Sequence, residues 1–167
     1  PLSDQEWERV FDLYKNTPEY SYYNKGMLLS DFKFIFFWEY FHRLWGRIIG
    51  IVFIIPFIYL IFTKKIERYV TVRLLIILFF GSLQAFIGWW MVKSGLIDKP
   101  DVSQYRLAIH FGNSLLILFL LFWLILDLKN KKSRIKFDLN LIIFFIIFVT
   151  IIAGSLVAGM DAGLMYN

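Results

Sequence analysis

The sequence predicts an all-α fold, a polytopic transmembrane helix bundle with four membrane helices, on three observations. Of its 167 residues, 59% are apolar, whereas soluble domains contain about 45–50%. The apolar residues fall into four long runs, each reaching the ~20 residues that a helix needs to cross a bilayer. Basic residues collect in two of the short segments between these runs, which is typical of membrane topology.

We predict two regions, an outer-side polar segment over residues 1–33 and a transmembrane helical domain over residues 34–167. Ser3 and Glu6 have the spacing of a capping box, which predicts a short amphipathic helix that ends before Pro18. Pro56 is predicted to kink the first membrane helix. The membrane helices are expected at about 31–62, 72–92, 104–126 and 139–160.

The loop charges predict the orientation of the helices. Residues 63–73 carry four basic residues and one acidic residue, and residues 127–138 carry five basic and two acidic. These loops are therefore expected to face the cytoplasm or matrix, and residues 1–33 and 93–106 the opposite side. We expect an integral protein of the bacterial cytoplasmic membrane or the mitochondrial inner membrane.

Composition also excludes several kinds of site. The chain has no cysteine, which excludes disulfides, thiolate metal sites and covalent attachment of a c-type haem. The net charge of +5 does not predict nucleic-acid binding, because the basic residues lie in loops between membrane helices and form no basic face on a soluble domain.

Ionisable side chains within the predicted helices are the candidates for chemistry. Charged groups are costly inside lipid, so they usually face a bundle interior, a cavity or a cofactor. The ones singled out here are Glu39, His42, Arg43, Arg47, Arg106 and His110.

His42 and His110 are the only two histidines of the chain. Measured from the basic inner residues Lys64 and Lys129, they lie roughly 33 and 28 Å along their helices, which puts both near the outer face. Two imidazoles at similar depth on different helices can clamp a planar macrocycle through its iron. The alternative is that each histidine only hydrogen-bonds a neighbouring helix. A zinc or di-iron site is less favoured, because Glu39 is the only carboxylate nearby.

The charged neighbours of the histidines also have two interpretations. Glu39 shares a helix face with His42, but it is also placed to pair with Arg43. The guanidinium groups of Arg43, Arg47 and Arg106 suit the propionates of a haem. The alternative for Arg47 and Arg106 is that they extend to lipid phosphate.

Small residues recur at close to helical spacing on the second and fourth membrane helices. They are Gly81, Ala85 and Gly88 on the former and Gly154 and Ala158 on the latter. We expect them to let neighbouring helices approach closely.

Four segments resemble haem A synthases. Residues 36–47, Phe-Phe-Trp-Glu-Tyr-Phe-His-Arg-Leu-Trp-Gly-Arg, resemble the family's Glu-x-x-His-Arg-x-x-Gly-Arg motif. Residues 84–96 are similar to its third-helix signature, residues 102–110 to the segment with its second histidine, and residues 154–167 to the end of its fifth helix. The resemblance is collinear over essentially the whole chain. The lack of a cysteine pair in the outer loop is more like the mitochondrial and alphaproteobacterial branch.

The resemblance implies an oxidoreductase that converts a peripheral methyl group of haem O to a formyl group, making haem A for haem–copper terminal oxidases. His42 and His110 then match the axial ligands of the substrate haem O. Glu39 matches a catalytic carboxylate that stabilises a cationic intermediate or helps position water. The implied partners are haem O and the lipid bilayer, with no nucleic acid; haem O synthase, oxidase assembly factors and a second copy of the chain are further candidates.

The family has eight helices in two similar halves, so we expect this to be a partial chain that covers helices two to five. A b-type haem is implied for the family, but its histidine pair is not among these residues. Two other functions stay open at this point. One is a bis-histidine membrane haem protein that acts in electron transfer, and the other is a structural or assembly subunit without haem.

Overall fold

A computed structural model of the chain describes residues 1–95, 102–130, 139–160 and 162. Its helices are α1 (Asp4–Lys15), α2 (Pro18–Tyr22), α3 (Leu29–Phe62), α4 (Arg68–Gly95), α5 (Gln104–Asn130) and α6 (Leu139–Ala158). The predicted all-α class is confirmed, because the described residues form no strand and helices α3 to α6 are long and apolar enough to cross a membrane. The predicted loop residues 96–101 and 131–138, and the C-terminal motif beyond Met160 apart from residue 162, lie outside the described residues.

Helix α1 begins with the predicted cap and packs against α3. The Ser3 hydroxyl accepts from the backbone N–H of Glu6 at 3.3 Å, which satisfies one of the free donors at the helix start. The buried ring of Phe11 stacks on Phe32 of α3 with centroids 5.1 Å apart, and Trp7 meets Phe36 edge-on at 5.1 Å. The N-terminal segment therefore covers the first turns of α3.

Helix α2 is a short element that the sequence prediction did not include. Helix α1 ends before Pro18, as predicted, and Pro18 begins the next helix, with the Thr17 hydroxyl as its cap. Proline suits the first helical turn because the N–H that it lacks would have no partner there.

Helix α3 is the longest helix in the described part of the chain, and few of its residues are buried. It continues through Pro56 for 34 residues, roughly 50 Å at ~1.5 Å per residue, so it is longer than the ~30 Å hydrocarbon core. Within the described part of the chain it contacts α1 and α4 but neither α5 nor α6. Its N-terminal half, including His42, is mostly exposed apart from the residues beneath α1.

Helices α4 and α5 form the central pair of the bundle. Val70 and Ile77 of α4 and Leu124 of α5 are buried together where the N-terminal part of α4 meets the C-terminal part of α5. There Arg73 of α4 forms an ion pair with Asp127 of α5, whose side chain is 1% exposed. The sequence analysis counted Arg73 as a loop charge, but α4 already begins at Arg68. Arg73 can lie within a membrane helix because it is paired with Asp127, and a paired charge costs far less to bury than a lone one.

The small residues only partly meet the expectation of close helix contacts. A side chain added at Gly81 or Gly154 would meet nothing within 4 Å among the described residues outside its own helix, so the prediction is wrong for both. The close approaches between α5 and α6 lie elsewhere. An added Cβ at Gly159 would come within 2.8 Å of Gln104, and one at Gly112 within 3.0 Å of Ile152.

We predict that the Arg73–Asp127 pair stabilises the α4–α5 contact only as a pair. The substitution Asp127→Asn should lower the free energy of unfolding by about 3 kcal/mol, because it leaves the Arg73 charge without its partner. The double substitution Arg73→Met with Asp127→Leu should recover most of that loss. Thermal unfolding in detergent micelles, followed by circular dichroism, measures both.

The exposed pair of Lys15 and Asp12 on α1, with a separation of 2.8 Å, provides the control. Asp12→Asn should change stability by less than about 1 kcal/mol, as is usual for surface pairs. Equal losses from the single and double substitutions at Arg73 and Asp127 would contradict the prediction.

Candidate functional site

His110 lies on α5 and is held against α4. Its Nε2 atom is 3.2 Å from the side-chain nitrogen of Gln84. The His110 ring also packs closely on Gly88 of α4, because a Cβ added to that glycine would lie 3.0 Å from Cε1 of the ring. Because Gly88 has no side chain, the imidazole of His110 can pack closely against α4 there, as the prediction for this glycine expects. The Nδ1 atom is buried and has no hydrogen-bond partner among the residues that the structure describes.

Asn113 extends this polar contact by one helical turn. Its side chain is 9% exposed, and its Nδ2 donates to the Phe80 carbonyl at 3.0 Å and to the Gln84 Oε1 at 2.7 Å. Gln84 thus bridges Asn113 and His110. The three side chains form a hydrogen-bonded network between α4 and α5, at a depth where lipid offers no alternative partners.

His42 approaches from a different helix. It is exposed on α3, yet close enough to His110 for the two imidazoles to influence one another electrostatically. Among the described residues, the backbones of α3 and α5 do not come close to one another. The two histidines therefore lie within electrostatic range of one another, on helices whose backbones make no direct contact among the described residues.

Glu39 lies at the junction of α3 and α1. Its Oε2 accepts from Arg43 at 3.0 Å, so the alternative of a Glu–Arg pair is what the structure contains. Both side chains line a pocket of about 270 Å³ beneath α1. Partial burial raises the pKa of Tyr14 on α1, its hydrogen bond with Asn24 opposes that rise, and the negative charges of Glu19 and Glu39 add to it. The Glu39 carboxylate thus lies within electrostatic range of the α1 segment.

The two remaining arginines differ in their surroundings. Arg106 lies one turn before His110 on α5, with its guanidinium carbon 4.8 Å from the Trp90 ring centroid. This is cation–π geometry. Arg47 is exposed on α3 and forms no ion pair within the described ranges.

These surroundings fit a haem iron held from two sides. Neutral imidazole nitrogens are common axial ligands of haem iron. The exposure of His42 and the absence of a backbone contact between α3 and α5 among the described residues are compatible with a planar ligand between these helices. No group of three or more His, Asp or Glu side chains that could hold a metal ion occurs in the described part of the chain.

Comparison with known proteins identifies the family. The sequence model of the cytochrome oxidase assembly protein family COX15-CtaA matches residues 1–167. The chain belongs to this family. The resemblance of its motifs to haem A synthases is thereby confirmed.

Individual proteins that are similar to the chain carry the name heme A synthase. Proteins named heme A synthase from Parvibaculum lavamentivorans and Nitrosospira multiformis are each 45% identical over the whole chain, and one from Flavobacterium psychrophilum is 47% identical. The match covers 50%, 49% and 51% of those relatives, so the chain spans about half their length. No solved structure matches the chain.

The sequence analysis did not assign a role to Gln84 or Asn113. Gln84 lies within the segment that resembles the family's third-helix signature, and Asn113 follows His110 by one turn. A signal was available, because amides are rare within apolar helices and residues three apart share a helix face. What the sequence did not reveal is which residue of α4 lies opposite which residue of α5.

We predict opposite effects of the same substitution at two glycines of α4. Gly88→Ala should lower stability by about 1–3 kcal/mol, because the new methyl group would press on the imidazole of His110, which Gln84 holds from another side. Gly81→Ala should raise stability by about 0.5–1 kcal/mol, because alanine is the better helix former and its methyl group would meet no described residue outside its own helix. Thermal unfolding in micelles measures both. A stabilised Gly88→Ala protein would show that His110 is not held against α4.

Proposed function

We propose that this chain is the part of a haem A synthase that holds haem O while a peripheral methyl group is oxidised to a formyl group. His42 and His110 ligate the substrate iron from its two faces. The observation that carries the proposal is the approach of the chain's only two histidines from different helices, α3 and α5. The similarity to proteins named heme A synthase supports it over the whole chain.

The proposed role of Glu39 follows from its place one turn before His42. Oxidation of the methyl carbon removes electrons and protons and adds an oxygen atom. A carboxylate near the ring edge can stabilise the positive charge that develops, or orient water and accept its proton. Arg43, 3.0 Å from Glu39, holds that carboxylate in position. The conversion of methyl to formyl takes one oxygen atom from water and releases four protons and four electrons, and the electrons pass to an external electron acceptor.

Arg47 and Arg106 are proposed to bind the haem propionates. Both flank the histidine pair, Arg47 from α3 and Arg106 from α5. A guanidinium can bind a carboxylate through two parallel hydrogen bonds. Arg106 is already positioned by the Trp90 ring, so it would need little reorganisation to do so.

The test is chromatography of the haems extracted from the full-length protein after co-expression with a source of haem O. His42→Ala and His110→Ala should each lose bound haem O and form no haem A. Glu39→Gln should keep haem O bound but reduce haem A formation on the order of 10²-fold, as is typical for loss of an acid–base group. Asp12→Asn, which alters a comparable exposed pair on α1, should leave both quantities unchanged.

Two outcomes would overturn the proposal. Bound haem O that is never converted in the wild-type protein would favour an electron carrier. A protein that takes up no haem when haem O is supplied would favour a structural or assembly role, in which the histidines only connect helices.

A further inference from the structure

The orientation of the Asn113 amide is fixed by the backbone. The Phe80 carbonyl can only accept a hydrogen bond, so the Asn113 atom 3.0 Å from it must be the amide nitrogen. The same nitrogen lies 2.7 Å from Gln84. Because an amide nitrogen only donates, the Gln84 atom that faces it must be the carbonyl oxygen.

The orientation of Gln84 then determines the protonation of His110. With its oxygen turned to Asn113, Gln84 directs its NH₂ group at the imidazole, 3.2 Å from Nε2. An N–H donor requires a lone pair on Nε2. A neutral imidazole has one protonated and one unprotonated nitrogen, so the proton of His110 must be on Nδ1.

We infer that Asn113 and Gln84 are positioning residues that hold His110 as the Nδ1–H tautomer and so keep the Nε2 lone pair available to haem iron. This inference rests on the proposed function for the identity of the metal, but the tautomer itself does not. When iron binds, the hydrogen bond from Gln84 to Nε2 breaks and a bond from Nε2 to iron forms. No proton leaves the imidazole in this exchange.

Gln84 therefore holds the ligand atom without blocking it permanently. If iron binds to the Nδ1–H tautomer, only the neutral hydrogen bond from Gln84 is lost. If it were to bind to the Nε2–H tautomer, the proton would first have to leave Nε2. The contact between the imidazole and Gly88 limits the rotation of the ring. The His110 imidazole is thus held as one tautomer, with limited rotation, before haem binds.

The test has a readout that needs no haem. The full-length protein, labelled with ¹⁵N in its histidine rings and reconstituted in lipid nanodiscs, should show His110 with a protonated Nδ1 and an unprotonated Nε2. The signal is assigned by its loss in His110→Gln. Gln84→Glu should reverse the tautomer, because a carboxylate accepts from Nε2–H, and haem O affinity should fall about tenfold, in the range for outer-shell partners of metal ligands.

Gln84→Met and Ser114→Ala make the test decisive. Gln84→Met keeps the length of the side chain but removes the donor, so the Nε2–H form should become populated even if Gln84→Glu does not fold. Ser114 neighbours Asn113, and its one hydrogen bond to the described residues lies within its own helix, to the Phe111 carbonyl at 2.6 Å. Ser114→Ala should therefore change neither the tautomer nor the haem affinity.

An Nε2–H tautomer in the wild-type protein would overturn the inference, as would a tautomer unaffected by both Gln84 substitutions. A reversed tautomer with unchanged haem affinity would overturn the role in haem binding. A wild-type protein that shows the expected tautomer but binds no haem would instead contradict the proposed function.

Discussion

The hydrogen bond from Asn113 to the Phe80 carbonyl is the contact on which the rest of the site depends. It joins a side chain of α5 to the backbone of α4 at a depth where lipid offers no competing donor or acceptor. A second polar contact, Arg73 with Asp127, joins the N-terminal part of α4 to the C-terminal part of α5. Two such contacts fix both the rotation and the register of α4 against α5, which apolar side chains alone would specify less uniquely.

The network gives the two histidines different degrees of constraint. His110 is held by Gln84 on one side and by the backbone at Gly88 on another. His42 is exposed on α3, a helix that contacts α4 and α1 but not α5 within the described ranges. One proposed ligand is thus positioned before the haem binds, whereas the other is positioned only by its own helix and the segment packed on it.

Much of the fold followed from the sequence, because helix formation in lipid depends on local composition. The four membrane helices and the Ser3 cap are of this kind. Gly81 and Gly154 were misjudged, and Gln84 and Asn113 received no role, because helix spacing shows which residues share a face but not what lies opposite. Arg73 was counted among the loop charges because the sequence does not show that it pairs with Asp127, which is distant along the chain. The predicted orientation of the bundle and the ligand roles of the histidines remain predictions.

The most direct measurement is a cryo-electron microscopy structure of the full-length protein prepared with haem O. The account predicts one haem between α3 and α5, its iron coordinated by His42 and by Nε2 of His110, with the Gln84 amide displaced from that nitrogen but still bonded to Asn113. Haem O bound only outside the space between α3 and α5, or a haem O iron to which only one of the two histidines is directed, would contradict it.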